Sequence, residues 1–321
     1  MSADGGREDM PPDPGMQEIK QQLNRIMEQA GPQTSIQLTG GEPTIREDLP
    51  EIVNLCRKAG FSAIEVNTNG LQIGRRPDYI NQLASAGITG VYLQFDGLTN
   101  DVYRKIRGAD LLGMKLQAIE YCRATGIQVV LSMAVVREIN DNQMGDLLQY
   151  ALKNIDVIAG IAFQPAFTSG RNELSGEFPI TMGDVIFQLA EQSHGMIRPY
   201  DFWPTGCSHP LCDATTYIVR QAGQHYKSIG QLIDAEHYRR HHRHDSPQGS
   251  ALPDLADQLC PDMEKPGLSI LIMNYMSVHD VDLNRLQQCS MTVAGPGGRL
   301  IPFCAYQLTN TNDQKLYDFN T

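Results

Sequence analysis

Positive charge is in short supply in this sequence: 26 lysines and arginines face 37 aspartates and glutamates, a net charge of −11. A general nucleic-acid surface needs clustered cationic side chains, so that class of partner is excluded. Long apolar runs are missing too. The longest, residues 268–276, includes Asn274 and falls well short of the roughly 20 residues that span a bilayer, so it reads as a buried strand or helix. Residues 1–14 are polar and rich in proline and glycine, without the apolar centre of a secretion signal. The chain therefore reads as cytoplasmic, with no transmembrane segment. No glycine-rich loop opens a helix, which argues against a phosphate-binding α/β enzyme. The seven cysteines are odd in number, and clustered cysteines in such a setting more often bind metal or do redox chemistry than form disulfides. Cys56 and Cys122 lie in apolar helical patterns and read as core residues.

What is present is a regular alternation of helix and strand from Met16 to Phe163. Ile19, Leu23 and Ile26 recur at helical spacing, and residues 35–38 read as a short strand. Leu49, Ile52, Val53 and Cys56 form the next helical stripe. Strands follow at 63–66, 91–95, 127–136 and 157–163, with helices at 79–86, 114–125 and 144–152 between them. This alternation predicts a parallel sheet with helical crossovers. Ligands in such folds bind at the carboxyl ends of the strands.

Those ends carry polar residues in sequence: Gly40–Gly41–Glu42–Pro43, Asn67–Thr68–Asn69–Gly70, Gln94–Phe95–Asp96–Gly97 and Gln164–Pro165, with Ser132 inside the strand between the last two. Gly, Asn and Pro also make ordinary turns, but a polar or acidic group at each strand end suits a pocket for a polar cofactor.

Thr39–Gly40–Gly41–Glu42–Pro43–Thr44 resembles the GGEP motif of radical S-adenosylmethionine (SAM) enzymes, at the place where they carry it. Residues 37–44, 91–97, 106–108 and 161–165 resemble, more closely, the group containing the archaeal tetraether-lipid synthase and class D-type radical SAM methylases. The resemblance implies a partial (β/α)6 TIM-type barrel missing its first strand, with a flexible remnant at 1–15, the barrel at 16–170 and a cysteine-containing extension at 171–321. It implies that Gly40, Gly41, Glu42 and Pro43 hold the SAM amino group, and that Asn67, Thr68 and Asn69 lie near its carboxylate and ribose. Gln94 and Asp96 would face cofactor or substrate, Ser132 the ribose or carboxylate, and Phe163, Gln164 and Pro165 the adenine. It further implies a [4Fe–4S] cluster, an electron donor such as ferredoxin or flavodoxin, and C–H functionalisation of a lipid or other small molecule.

One family feature is absent. CxxxCxxC, which holds the radical cluster in this family, does not occur. The resemblance places that triad and one strand upstream of Met1; the alternative is a noncatalytic descendant that has lost the cluster. In the extension, the resemblance implies that Cys207, Cys212, Cys289 and Cys304 bind an auxiliary iron–sulfur cluster. Four thiolates suit that cluster and equally suit structural zinc, and the cysteines could also bind no metal. Cys260 is a weaker substitute ligand and His209 reads as a turn residue. The basic run 237–244 reads as a solvated helix end, and Trp203 as packing beside the cysteines.

Overall fold

The computed structural model describes residues 13–167, 179–204, 209–221, 225–234, 236, 264–295 and 298–308. Cys207, Cys260, the basic run 237–244 and the first twelve residues lie outside them. In chain order the elements are α1 (Met16–Ala30), β1 (Ile36–Leu38), α2 (Leu49–Lys58), β2 (Ile64–Thr68), α3 (Leu71–Arg75), α4 (Pro77–Ala86), β3 (Gly90–Gln94) and α5 (Asn100–Arg107). There follow α6 (Leu112–Thr125), β4 (Gln128–Val135), α7 (Met144–Lys153), β5 (Ile158–Pro165), α8 (Met182–Gln192), β6 (Asp213–Gln221), β7 (His225–Ser228) and β8 (Glu264–Met273). The last elements are α9 (Leu283–Gln287), β9 (Thr292–Ala294), β10 (Leu300–Pro302) and α10 (Phe303–Gln307).

Eight strands form one sheet in the order β1-β2-β3-β4-β5-β8-β6-β7, parallel from β1 through β8 and antiparallel for β6 and β7. The five strands read from residues 35–163 are all present. A sixth parallel strand comes from residues 264–273, so the chain beyond residue 170 extends the same sheet. Among the described residues no pairing joins β1 to β7. β9 and β10 make a separate antiparallel pair.

Hydrophobic periodicity explains where the helices sit. α2 buries Leu49, Ile52, Val53 and Cys56, and α4 buries Tyr79, Ile80 and Leu83. They pack in one cluster with Ile64, Val66, Leu93, Leu131 and Ile161 of the sheet. A fully buried leucine such as Leu83 or Leu93 contributes about 1.5–3 kcal/mol over leaving it in water. Cys56 and Cys122 are both in this core, where burial raises their thiols, Cys56 to about 11 and Cys122 to about 12.

Two short helices, α3 and α5, were not anticipated from the sequence. α3 is five residues long and follows the turn signal at Asn69–Gly70. It also contains Gly74, where a Cβ would come within 2.5 Å of the Met114 carbonyl of α6. The close approach of these two helices thus requires a residue that lowers helix propensity. α5 is mostly polar and buries only Val102 and Tyr103, which leaves little apolar period to detect.

Candidate functional site

Alternation along the parallel strands sorts the polar residues onto one face. The register pairs Gln37 with Glu65, Asn67 with Tyr92, Gln94 with Ser132, and Ala134 with Gln164. Residues two apart share a face, so Asn67, Gln94, Ser132 and Gln164 all lie on the side of the sheet opposite Val66, Leu93 and Leu131. Side chains on this polar face bond to one another. Gln37 Nε2 donates to Glu65 Oε2 at 3.2 Å, and Asn67 Nδ2 to Gln37 Oε1 at 3.3 Å. Gln164 Nε2 donates to the Tyr92 hydroxyl at 3.3 Å, and burial pushes that phenol above its ordinary range.

Glu42 is fixed by four donors from two turns. Its Oε1 accepts from the Thr44 amide at 3.1 Å, the Thr44 hydroxyl at 2.5 Å and the Thr68 hydroxyl at 2.6 Å. Among the described residues its Oε2 accepts only from the Asn69 amide, at 2.7 Å. An ionised carboxylate offers about four lone-pair sites, so Oε2 retains one for a further donor. Gly40 and Gly41 beside it are exposed, and no heavy atom lies within 4 Å of where a Cβ on Gly40 would stand. Pro43 opens a one-turn 3-10 helix, Pro43–Ile45.

Thr68 is buried on the helix-facing side of β2, where its hydroxyl also accepts from the Gly70 amide at 3.0 Å. Gly70 has φ +74°, and a Cβ there would lie 2.4 Å from Leu93 Cδ1. The turn after β2 therefore needs glycine both for its backbone and for its packing.

A second, buried cluster lies at the end of β3. Asp96 is fully buried and receives two bonds from Arg107, Nε at 2.7 Å and Nη2 at 2.9 Å. Its carboxylate is thus engaged within the protein. Lys115 of α6 is also fully buried, and its Nζ donates to the Asn69 carbonyl at 2.5 Å and to Gln94 Oε1 at 3.3 Å. Burial pushes the Asp96 carboxyl up to about 7 and the Lys115 ammonium down to about 8, and each charge opposes the shift of the other. Sequence reasoning missed Lys115, although position 115 falls on the same stripe of α6 as the buried Ala118, Ile119 and Cys122.

In the carboxy-terminal part, Arg285 of α9 joins Cys212 to the segment that carries Cys289. Arg285 Nε donates to Cys212 Sγ at 3.4 Å, and its guanidinium also acts on the Cys289 and Cys304 thiols. Burial raises both thiols, while the nearby guanidinium works against that shift. Cys304 Sγ accepts from the Met276 amide at 3.5 Å, and the Cys289 thiol donates to the Met291 carbonyl at 2.9 Å. Among the described residues no group of three or more His, Cys, Asp or Glu is arranged to hold a metal ion. His209 Nδ1 accepts from the Leu211 amide at 3.2 Å in a turn. Trp203 pairs with Thr215 and packs beside Tyr217, Val219 and Ile229.

Comparison with known proteins agrees with the strand-end motif. Residues 5–151 match the model of the Radical SAM superfamily. The 7,8-dihydro-6-hydroxymethylpterin dimethyltransferase of Methanocaldococcus jannaschii is 30% identical over 359 aligned positions, covering 92% of this chain and 70% of that protein. A probable GTP 3′,8-cyclase of Thermococcus kodakarensis is 35% identical over 118 residues, 37% of each chain. Among solved structures, native anSMEcpe with bound AdoMet and Kp18Cys peptide superposes on 55% of this chain and 50% of its own, at 16% identity and a TM-score of 0.43. No helix among the described residues is long and apolar enough to cross a membrane. With the GGEP turn, the parallel sheet and a relative matched over most of both lengths, the chain belongs to the radical SAM superfamily.

Proposed function

We propose that the polar rim at the carboxyl ends of β1 to β5 binds SAM, and that the protein functionalises C–H positions of a small molecule by methylation or C–C bond formation. The observation that carries this reading is Glu42. Four donors fix its carboxylate at the end of β1, yet Oε2 keeps acceptor capacity beside an exposed diglycine turn. An ammonium group there would complete the carboxylate through a charge-assisted hydrogen bond. Asn67, Gln94, Ser132 and Gln164, on one face of the sheet, supply amides and a hydroxyl to the remaining polar groups of the cofactor. Pro43 fixes the turn, while Thr68 and Asp96 act from buried positions behind the rim.

SAM, when reductively cleaved at a [4Fe–4S] cluster, supplies a hydrogen-abstracting radical. CxxxCxxC, which would hold that cluster, occurs nowhere in the 321 residues, so no residue of this chain is assigned to radical generation. The role of the chain's own residues is to orient SAM and to keep water from the reacting face. An auxiliary iron–sulfur cluster on Cys212, Cys289, Cys304 and Cys207 is part of the proposal, supported by Arg285, which donates to Cys212 Sγ and whose charge acts on Cys289 and Cys304. A ferredoxin- or flavodoxin-type donor in the cytoplasm would supply the electrons.

The relative named for a pterin supports a small heterocyclic substrate. So does an aromatic group beyond β5 and β8, in which the Tyr275 ring centroid lies 5.2 Å from Phe167 and 4.8 Å from Phe303. A lipid chain would also suit these apolar rings. A second reading is a noncatalytic SAM-binding partner protein. Anaerobic calorimetry with SAM tests the cofactor, with saturable one-to-one binding expected; no binding sinks both readings. Assay for 5′-deoxyadenosine in the presence of a strong reductant, on a chain extended upstream to carry the CxxxCxxC cluster segment, then separates the enzyme from the noncatalytic protein.

A further inference from the structure

Lys115 is the fully buried lysine among the described residues, on a helix stripe whose other members, Ala118, Ile119 and Cys122, are apolar. Packing alone would be served by leucine or methionine at that position. An ammonium taken out of water is costly unless its donors are used, so what those donors hold is informative. One goes to the Asn69 carbonyl in the turn after β2, and another to Gln94 Oε1 at the end of β3. The ammonium also lies 5.9 Å from the Tyr103 ring centroid. The charged groups acting on it are Asp96, Arg107 and Glu42.

Two consequences follow from this geometry. The backbone of Asn69 is held through both flanking peptide groups, its N–H by Glu42 and its carbonyl by Lys115. Its side chain is engaged too, accepting from the Leu71 amide at 2.9 Å. Gln94 is constrained in a different way. An ammonium has donors and no acceptor, so Gln94 must turn its carbonyl oxygen toward Lys115. Its NH2 group is then the end available on the polar face of the sheet, where it can donate to an anionic or carbonyl oxygen but cannot accept.

We infer that Lys115 is a positioning residue for cofactor binding: it holds the turn after β2 and fixes Gln94 as a donor, which prepares the rim for the carboxylate-bearing amino-acid end of SAM. The inference rests on the SAM reading of the rim and adds the way in which specificity for that end is set. Lys115 touches no cofactor itself; it acts through Asn69 and Gln94.

The test compares SAM with 5′-methylthioadenosine, which keeps the nucleoside and lacks the amino-acid part, by anaerobic calorimetry on the full chain. In Lys115→Met the affinity for SAM should fall at least about 10-fold, as expected for loss of one charge-assisted contact. That for methylthioadenosine should stay within about twofold. Lys153→Met, at an exposed position on α7, should change neither. A parallel fall for both ligands would mean general damage to the fold and would overturn the inference, as would unchanged SAM binding. Should Lys115→Met fail to fold, Gln94→Met leaves the lysine and its helix intact and should show the same selective loss. Equal binding of both ligands by Gln94→Met and the parent would overturn the inference. Failure of the unsubstituted protein to bind SAM would instead remove the cofactor reading, and is recognised before any substitution is made.

Discussion

The Thr68 hydroxyl donates to Glu42 Oε1 at 2.6 Å, tying the turn after β2 to the turn after β1 from the buried side of the sheet. The same oxygen accepts from the Gly70 amide, so one hydroxyl serves a neighbouring carboxylate and its own turn. Replacing Thr68 by valine keeps the shape and removes both bonds, leaving a buried amide without its acceptor. That should cost about 1–3 kcal/mol of stability, read as a lower midpoint in urea unfolding. Thr68→Ser should recover most of it. A valine variant as stable as the parent would show that this link is not needed to hold the two turns.

Glu42 and Glu65 provide a matched pair of carboxylates. Glu42 stands at the strand end and Glu65 within β2, where it accepts from Gln37 at 3.2 Å. Glu42→Gln presents an amide nitrogen to an array of donors and weakens any ammonium contact. SAM affinity should drop by about 10-fold or more, whereas Glu65→Gln should leave it within about twofold. Calorimetry on both variants decides the matter, and equal losses would remove Glu42 from the cofactor site.

The contrast between these residues shows what a sequence can reveal. Strand-end turns carry their own signal, because Gly40–Gly41–Glu42–Pro43 combines turn residues with an acid, and the strand period places Asn67, Gln94, Ser132 and Gln164 on one face. Buried polar supports carry little such signal. Lysine is a surface residue by default, so Lys115 showed only as an interruption of an apolar stripe. Thr68 and Asp96 were legible as strand-end polar residues, but their engagement with Glu42 and Arg107 depends on contacts between separate turns. The sixth parallel strand, residues 264–273, was partly legible, since residues 268–276 read as a buried strand or helix, but its place in the sheet was not: its partner β5 lies about a hundred residues earlier, and no local pattern announces such a pairing.

Burial of Lys115 gives a pH signature in stability. Its ammonium titrates at about 8 in the folded protein against an ordinary 10.5, because burial disfavours the charge. Between those values the unfolded chain holds a proton that the folded chain has released. Folded stability contributed by this group therefore rises with pH across the window, by up to ~1.4 kcal/mol per pH unit. Thermal unfolding of the parent and of Lys115→Met should diverge in favour of the parent between pH 8 and pH 9.5; Asp96, which loses its opposing charge in the variant and is held still higher by burial, acts in the same direction. A constant difference across that range would mean that the lysine is not desolvated as described.

Iron provides the sharpest test of the carboxy-terminal cysteines. Arg285 donates to Cys212 Sγ at 3.4 Å, and its charge favours the thiolate of Cys289 and of Cys304. Burial acts the other way on Cys289 and Cys304, and among the described residues the thiols do not form a closed ligand set. Binding a cluster would thus require them to draw together, with Cys207 as the fourth ligand. Anaerobic reconstitution should yield about four irons per chain, as one [4Fe–4S] cluster requires. Cys212→Ala should lose most of that iron, whereas Cys56→Ala, in the core, should retain it. About one zinc per chain with no iron chromophore would assign the thiols to a structural site instead. Neither metal after reconstitution would overturn the auxiliary centre and leave Arg285 as the buried hydrogen-bond donor to Cys212.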